Sequence, residues 1–319
     1  RICVIGGSGF IGTRLVKALV ALGHDISIFD LFTSAAYPSL CVQGDVQDVS
    51  ALLPAVSKHD MVIHLAAEHR DDVRPVSRYR DVNVGGAKNV VAAMQQHGVR
   101  RCLLVSSVAV YGLQQHEPDE SSPLAPESPY GESKAAAEGI FRDWQAGDTQ
   151  RSLVILRPVV VFGEHNRGNV HNLIEQIRRR RFLMVGRGEN RKSVAYVGNL
   201  VDFMCTQIDA GSGCTVFNYA DKPDQTIRDF VAAIDTALGN DIARRRSLPR
   251  WLGLTAGYAF DLLALMTRRA YPISSERVRK FCAYTSVAAD ALRNTGFRPS
   301  VPIAEGLRRM IAASRDGSA

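Results

Sequence analysis

Ile2-Cys3-Val4-Ile5-Gly6-Gly7-Ser8-Gly9-Phe10-Ile11-Gly12 decides how the chain of 319 residues is read. The four apolar residues have the length of a short buried strand. Gly6 to Gly12 follows in the form G-x-x-G-x-x-G, and Thr13 to Leu22 then shows helical periodicity ending at Gly23. Between a strand and a helix, such a turn lets backbone N–H groups approach a pyrophosphate at the positive end of the helix. Glycine-rich turns are common, so the strand before and the helix after carry the reading as a dinucleotide site.

Asp25 to Phe29 predicts a second strand, which ends at Asp30, eighteen residues after Gly12. A carboxylate there suits the adenosine ribose hydroxyls and would repel a 2′-phosphate. No arginine follows immediately, so the expected cofactor is NAD rather than NADP. Asp45-Val46, after a third strand region, is placed to contact the adenine. Met61 to Leu65, Cys102 to Ser106 and Leu153 to Leu156 are further apolar runs of strand length, with helical stretches between them at Gly86 to Gln96 and Ser133 to Trp144. Strands alternating with helices predict an α/β fold, a Rossmann-type doubly wound parallel sheet. After about residue 163 the pattern changes. Asn169 to Arg181 reads as a helix, Val216 to Tyr219 as a late strand returning to the main sheet, and the remainder as mostly helical. The expected division is an NAD-binding domain over 1–163, with a return near 194–220, and a smaller substrate lobe over 164–319.

Hydrophobic content of 46% and charged content of 22% are ordinary for a soluble globular protein. No run of eighteen uncharged apolar residues occurs, so no spanning helix is expected. The first residues read as a strand rather than a signal peptide, and a segment missing from the start stays open. Cysteines stand at 3, 41, 102, 205, 214 and 282, without a Cys-x-x-Cys pair or a cluster with histidine. Reduced thiols are expected, and no metal site. The formal charge of +7 favours anionic partners such as phosphates or anionic lipid surfaces. A nucleic-acid partner is not expected.

Tyr130-Gly131-Glu132-Ser133-Lys134 sets a tyrosine and a lysine at i and i+4, on one face of a helix. A phenol ordinarily keeps its proton to about pH 10. A neighbouring ammonium and an oxidised nicotinamide stabilise the phenolate and make it a base near neutrality. With nine tyrosines and seven lysines in the chain, about 0.2 accidental pairs of this spacing are expected. Ser106-Ser107 follows an apolar strand and faces the ligand crevice of such a sheet. Ser107 is a candidate partner for the reacting hydroxyl and Ser106 for the nicotinamide. Read alone, both are equally turn residues.

Together these residues resemble the extended short-chain dehydrogenase/reductases, the sugar-nucleotide epimerases and dehydratases. The resemblance runs through Gly6 to Gly12, Asp30, Asp45-Val46, His64-Leu65-Ala66-Ala67, Asn83-Val84-x-Gly86, Ser106-Ser107 to Tyr111-Gly112, Tyr130 to Lys134, and Arg157-Pro158 to Phe162-Gly163. It implies a catalytic set of Ser107, Tyr130 and Lys134. It implies an NAD lying across the sheet, against Gly6, Gly9, Phe10, Ile11, Gly12, Asp30, Asp45, Val46, Leu65, Ala66, Ala67, Asn83, Ser106, Tyr130, Lys134 and Pro158. It also implies a sugar diphosphate held by the C-terminal lobe, and a homodimer formed through helices near 86–96 and 131–145.

Dehydratases of this family carry acidic residues directly after the catalytic hydroxyl residue, where this chain has Val108 and Ala109. Elimination therefore lacks its acid/base pair, while 4-epimerisation or reduction needs only the trio. Ala66 to Val73, Ser107 to Leu113, Phe162 to Val170, Lys192 to Asn199 and Tyr219 to Asp224 look like a bacterial subgroup of 4-epimerases. That subgroup acts on N-acetylglucosamine carried on undecaprenyl diphosphate, for O-antigen and lipopolysaccharide biosynthesis. The alternatives are an epimerase of soluble UDP-sugars, a 4-keto-sugar reductase, and a binding or regulatory protein that keeps the fold. The intact trio speaks against the last. The resemblance places the loops of Arg167, Asn169, Arg187 and Arg191 near the substrate, and His69 and Arg70, which follow the His64–Ala67 strand end, are expected to face the crevice; a solvated residue is a strong alternative reading for each.

A lipid-linked substrate requires contact with a membrane surface. Trp251 to Met266 is apolar with one carboxylate, preceded by Arg244, Arg245, Arg246 and Arg250 and followed by Arg268-Arg269. Basic flanks around an aromatic, apolar middle suit an interfacial segment on anionic lipid. A buried helix capped by solvated arginines accounts for the same pattern. The expected location is cytoplasmic, peripheral on the inner face of the plasma membrane.

Overall fold

Successive strand residues point to opposite faces, and here both faces are buried. Ile2, Val4, Met61, Ile63, Leu103 and Val105 enter one apolar layer, while Cys3, Ile5, Val62, Cys102 and Leu104 enter the other. Each such side chain contributes roughly 1.5–3 kcal/mol by leaving water. The computed structural model describes residues 1–70, 73–113, 117–240, 247–267 and 274–316. Asp71 and Asp72 of the subgroup motif, and Arg244, Arg245, Arg246, Arg268 and Arg269 of the basic flanks, lie outside the described residues.

Strands β1 (Ile2–Ile5), β2 (Ile26–Asp30), β3 (Cys41–Gln43), β4 (Met61–His64), β5 (Arg101–Val105) and β6 (Ser152–Pro158) alternate with helices. These are α1 (Phe10–Ala21), α2 (Val49–Val56), the short α3 (Ser77–Tyr79), α4 (Gly86–Gln96) and α5 (Pro129–Ala146). Then come β7 (Val160–Phe162), α6 (Asn169–Arg178), β8 (Met184–Val185), β9 (Arg191–Lys192), β10 (Val194–Tyr196), α7 (Val197–Thr206) and β11 (Gly213–Tyr219). The main sheet has the order β11-β6-β5-β4-β1-β2-β3 and is parallel throughout. Residues of α1 and α7 line one apolar layer; residues of α2, α4 and α5 line the other. This is the doubly wound α/β architecture expected from the alternation of strands and helices. Strand β11 pairs with β6 from Gly213↔Ser152 to Tyr219↔Pro158, so the chain returns to the main sheet there.

The C-terminal part adds α8 (Ile227–Leu238), α9 (Arg250–Thr267), α10 (Ser275–Cys282), α11 (Asp290–Asn294) and α12 (Ile303–Asp316). Among the boundaries that differ from the periodicity are those of α6 and α5. Helix α6 stops at Arg178, and Arg180 takes φ +54°, so the arginine run leaves the helix. Helix α5 starts at Pro129, four residues before the predicted start, because Ser128 accepts from the Gly131 N–H at 3.1 Å and Pro129 occupies the first position. The earlier start places Tyr130 in the first helical turn, one turn before Lys134.

Candidate active site

Parallel strands bring their carboxyl ends to one edge of the sheet, and the loops leaving that edge form the crevice. Gly6 follows β1, Asp30 ends β2, Leu65 to Ala67 follow β4, Ser106 and Ser107 follow β5, and Pro158 ends β6. The three glycines of the first turn play different parts. Gly6 has φ +86°, and a Cβ there would lie 2.5 Å from the Ala66 nitrogen, so this position holds the turn against the loop after β4. A Cβ on Gly12 would lie 2.4 Å from the Gly6 oxygen. A Cβ on Gly9 would meet only the Gly6 oxygen, at 3.4 Å, so the turn is open on this side. Open backbone at the start of α1, with N–H groups at the helix's positive end, fits a pyrophosphate. Phe10 and Ile11 begin the helix and are half-buried.

Asp30 accepts from the Ser8 N–H at 2.9 Å through one oxygen and from the Phe32 N–H at 3.1 Å through the other. Each oxygen keeps a further lone pair for a ribose hydroxyl. Asp45 is half-buried and accepts from the Gln47 N–H, while Val46 is buried against Gly86. These positions fit the ribose and adenine end of a dinucleotide.

The candidate reacting residues sit where α5 meets the turn after β5. A Cβ on Gly131 would lie 2.5 Å from the Ala109 oxygen, so glycine permits the first turn of α5 to press on the 3-10 turn Val108–Tyr111. Ser107 caps that turn, its hydroxyl accepting from the Ala109 N–H at 3.1 Å. Lys134 is buried and its Nζ donates to the Val105 carbonyl at 2.7 Å. Tyr130 is half-buried, its ring 6.3 Å from that of Tyr79. Burial pushes the Lys134 ammonium down to about 8, against the charge of Glu138 one turn on. His64, at the end of β4, is held neutral down to about 3 by burial and by the nearby Lys134 charge.

Asn83 lies in a π-helical stretch, Arg80–Gly85, and is buried. Its Oδ1 accepts from the Glu68 N–H at 2.8 Å. Its Nδ2 donates to the Glu68 carbonyl at 3.0 Å and to Ser133 Oγ at 2.8 Å. Ser133 Oγ in turn donates to the Tyr130 carbonyl at 2.7 Å. Both amide protons of Asn83 are therefore spent on tying the loop after β4 to α5. Ser106 and Pro158 are buried at their strand ends.

The expected substrate residues divide. Arg70 grips Glu68 with Nε and Nη2, both at 3.1 Å, and Arg78 adds a third bond at 3.0 Å. The Arg70 hydrogen bonds hold the buried Glu68 carboxyl down at about 2. His69, beside this pair, is exposed, as are Arg167 and Asn169 before and at the start of α6. Arg191 donates to the Asp224 carbonyl at 2.9 Å. Arg187 borders a cleft of 530 Å³ with Asn190, Arg250, Cys282 and Tyr284. This cleft joins the loop after β8 to the first turn of α9.

Glu138, Tyr111 and Asn218 were not singled out from the sequence as site residues. Arg157 donates to both carboxylate oxygens of Glu138, Nε to Oε1 at 2.9 Å and Nη2 to Oε2 at 2.6 Å. Its Nη1 donates to the Tyr111 hydroxyl at 2.6 Å, which donates to Asn218 Oδ1 at 2.8 Å. All four residues are buried. Burial alone would raise the Glu138 carboxyl, but Arg157 outweighs it and holds it below the usual range. A signal existed: Glu138 continues the polar face of Tyr130 and Lys134, and Arg157 interrupts an apolar strand.

A Gly-rich turn before α1, an acid ending β2, and a Tyr-x-x-x-Lys helix packed on a serine turn define a class. The model of the NAD dependent epimerase/dehydratase family matches residues 2–220, and the chain belongs to that family. The chain is 46% identical over 313 residues to N-acetyl-alpha-D-glucosaminyl-diphospho-ditrans,octacis-undecaprenol 4-epimerase of Escherichia coli O157:H7. That match covers 98% of this chain and 94% of the relative. A UDP-glucose 4-epimerase of Lacticaseibacillus casei is 28% identical, over 74% of this chain and 69% of its own. The fold is shared with the Thermus thermophilus UDP-glucose 4-epimerase in complex with NAD, at a TM-score of 0.77 and 22% identity over 99% of both chains. As a member of this family, the enzyme is NAD-dependent.

Proposed function

We propose that this chain is an NAD-dependent 4-epimerase that interconverts N-acetylglucosamine and N-acetylgalactosamine on undecaprenyl diphosphate, for surface polysaccharide (O-antigen) synthesis. The observation that carries the reading is the 46% identity sustained along 98% of the chain. The residues after Ser107 agree with it, since Val108 and Ala109 offer no acid/base pair for elimination.

NAD, when bound, supplies the acceptor and donor of the hydride at the sugar's C4. Tyr130 takes the proton of the 4-hydroxyl and returns it after the sugar has turned over. Lys134 stabilises the phenolate and holds the nicotinamide ribose, and Ser107 donates to the 4-oxygen. Gly9 leaves room for the pyrophosphate, and Asp30 takes the adenosine ribose. The sugar's diphosphate is assigned to the cleft bordered by Arg187 and Arg250, whose guanidiniums would supply its counter-charge.

The carrier lipid calls for a membrane-facing surface, and α9 fits one. Among the described residues no helix is long and apolar enough to cross a membrane. Helix α9 buries one side: a Cβ on Gly253 would lie 2.5 Å from Val185, and one on Gly257 would lie 2.7 Å from Ser275. Its other side carries Trp251, Tyr258, Leu262, Leu265 and Met266, with Trp251 64%, Leu265 78% and Met266 75% exposed. An exposed apolar face of this kind supports the reading of α9 as an interfacial helix. The protein would then act peripherally on the inner leaflet. A homodimer through α4 and α5 is part of the same reading.

Replacing Leu262 and Met266 together by Glu is expected to weaken co-sedimentation with anionic vesicles at least about tenfold, since each side chain loses an apolar insertion. Unchanged co-sedimentation would remove α9 from the membrane contact. The function itself is tested by offering the purified enzyme N-acetylglucosamine-diphosphate-lipid and UDP-N-acetylglucosamine in parallel. The galacto product is expected from the lipid-linked substrate. Conversion of the soluble one alone would overturn the carrier assignment, and net consumption of NADH would indicate a reductase instead.

A further inference from the structure

We propose that Arg157 and Tyr111 are positioning residues for the reaction, which together fix the Tyr130–Lys134 helix against the Ser107 turn. The inference rests on the reading of Ser107, Tyr130 and Lys134 as the reacting set.

The geometry points to this pair because one guanidinium reaches both elements that carry the chemistry. Two of its nitrogens hold Glu138 on α5, one turn beyond Lys134. The third holds Tyr111, the last residue of the 3-10 turn that Ser107 caps. Arg157 itself stands in β6, between the edge strand β11 and β5. A fork of five fixed N–H donors can serve two acceptors in a set relative geometry, whereas a single ammonium cannot. Every partner is buried, with Arg157 1%, Tyr111 1%, Glu138 0% and Asn218 0% exposed, so the bonds act in a medium of low dielectric.

The arrangement continues away from the reacting residues. Asn218 Oδ1 accepts from Tyr111, and its Nδ2 donates to the carbonyls of Pro118 at 3.3 Å and Ala288 at 3.1 Å. Its backbone N–H donates to Glu120 at 2.8 Å. The Tyr111 hydroxyl is therefore the joint between the reacting elements and β11, which Asn218 ties in turn to the segments at Pro118–Glu120 and Ala288. Losing it leaves the ring in place and the Arg157–Glu138 pair intact, but frees the serine turn to shift relative to α5. A displacement near 1 Å between reacting groups costs about 10²-fold in rate.

Tyr111→Phe separates this role from a merely structural one. Turnover number is expected to fall about 10- to 100-fold, with KM and bound NAD unchanged, because the atoms that touch substrate and cofactor remain. Arg157→Lys, which keeps charge but not the fork, is expected to show the same split if it folds. Arg142→Ala, which removes only a half-exposed further partner of Glu138, is expected to leave turnover intact. A Tyr111→Phe enzyme of lowered melting temperature and undiminished turnover would overturn the inference. If Tyr130→Phe also turned over normally, the underlying assignment of the trio would be the one to fail.

Discussion

Tyr130→Phe is expected to lower turnover by about 10²–10⁴-fold, the range a positioned acid/base contributes. Phenylalanine keeps the ring and its contact with Tyr79, so the first turn of α5 and the NAD content should be unchanged. What is lost is the oxygen that accepts the 4-hydroxyl proton. The pH dependence carries a sign as well. Burial lowers Lys134 to about 8. Below that value the ammonium is present and favours the phenolate; above it, the lysine is neutral and the phenolate loses its partner. The wild-type rate is therefore expected to decline as pH rises through about 8. A Tyr130→Phe enzyme with wild-type turnover in the epimerase assay would sink the assignment of the base.

Glu138→Gln is expected to destabilise the fold by about 3–5 kcal/mol, the cost of breaking a buried ion pair from one side. Arg157 cannot shed its proton, so its charge would be left in the core with a neutral amide and a phenol as partners. Arg142, half-exposed, reaches Glu138 at 3.3 Å and would lose its contact too, at little cost. The size of the effect comes from the stranded guanidinium rather than from the strength of the pair. A double substitution that also replaces Arg157 by Met should therefore recover much of the loss. Urea denaturation of the three proteins measures this, and equal midpoints for wild type and Glu138→Gln would contradict the account.

The candidate site was legible in the sequence wherever a residue type had to stand at a fixed spacing on one local element. Gly6, Gly9 and Gly12 lie within a single turn, Tyr130 and Lys134 within a single helical turn, and Asp30 at a strand end. Short-range geometry dictates their relation. Asn83 was legible as a motif residue, but not in its bonding. Its amide is consumed by Glu68 and Ser133, fifteen residues before and fifty after it. Arg70 was expected at the crevice, but its bonds to Glu68, two residues away, were not legible in the motif.

Helix α9 shows the same division. Its apolar composition, aromatic residues and basic flanks were visible in the chain, and they left an interfacial and a buried helix equally open. Only packing separated the faces, because Gly253 and Gly257 let one side close on β8 and α10 and leave Trp251, Leu262 and Met266 outside.

Local periodicity and residue chemistry thus sufficed for the parallel sheet, the glycine turn and the Tyr-x-x-x-Lys helix. Each is encoded by neighbours along the chain, and none needs a distant partner to be recognised. The network from Glu138 through Arg157 and Tyr111 to Asn218 joins residues from 111 to 218, and its members meet only because β6 lies between β5 and β11. Buried hydrogen bonds between distant segments depend on strand order and register, which pairing across the sheet determines and which no local pattern records.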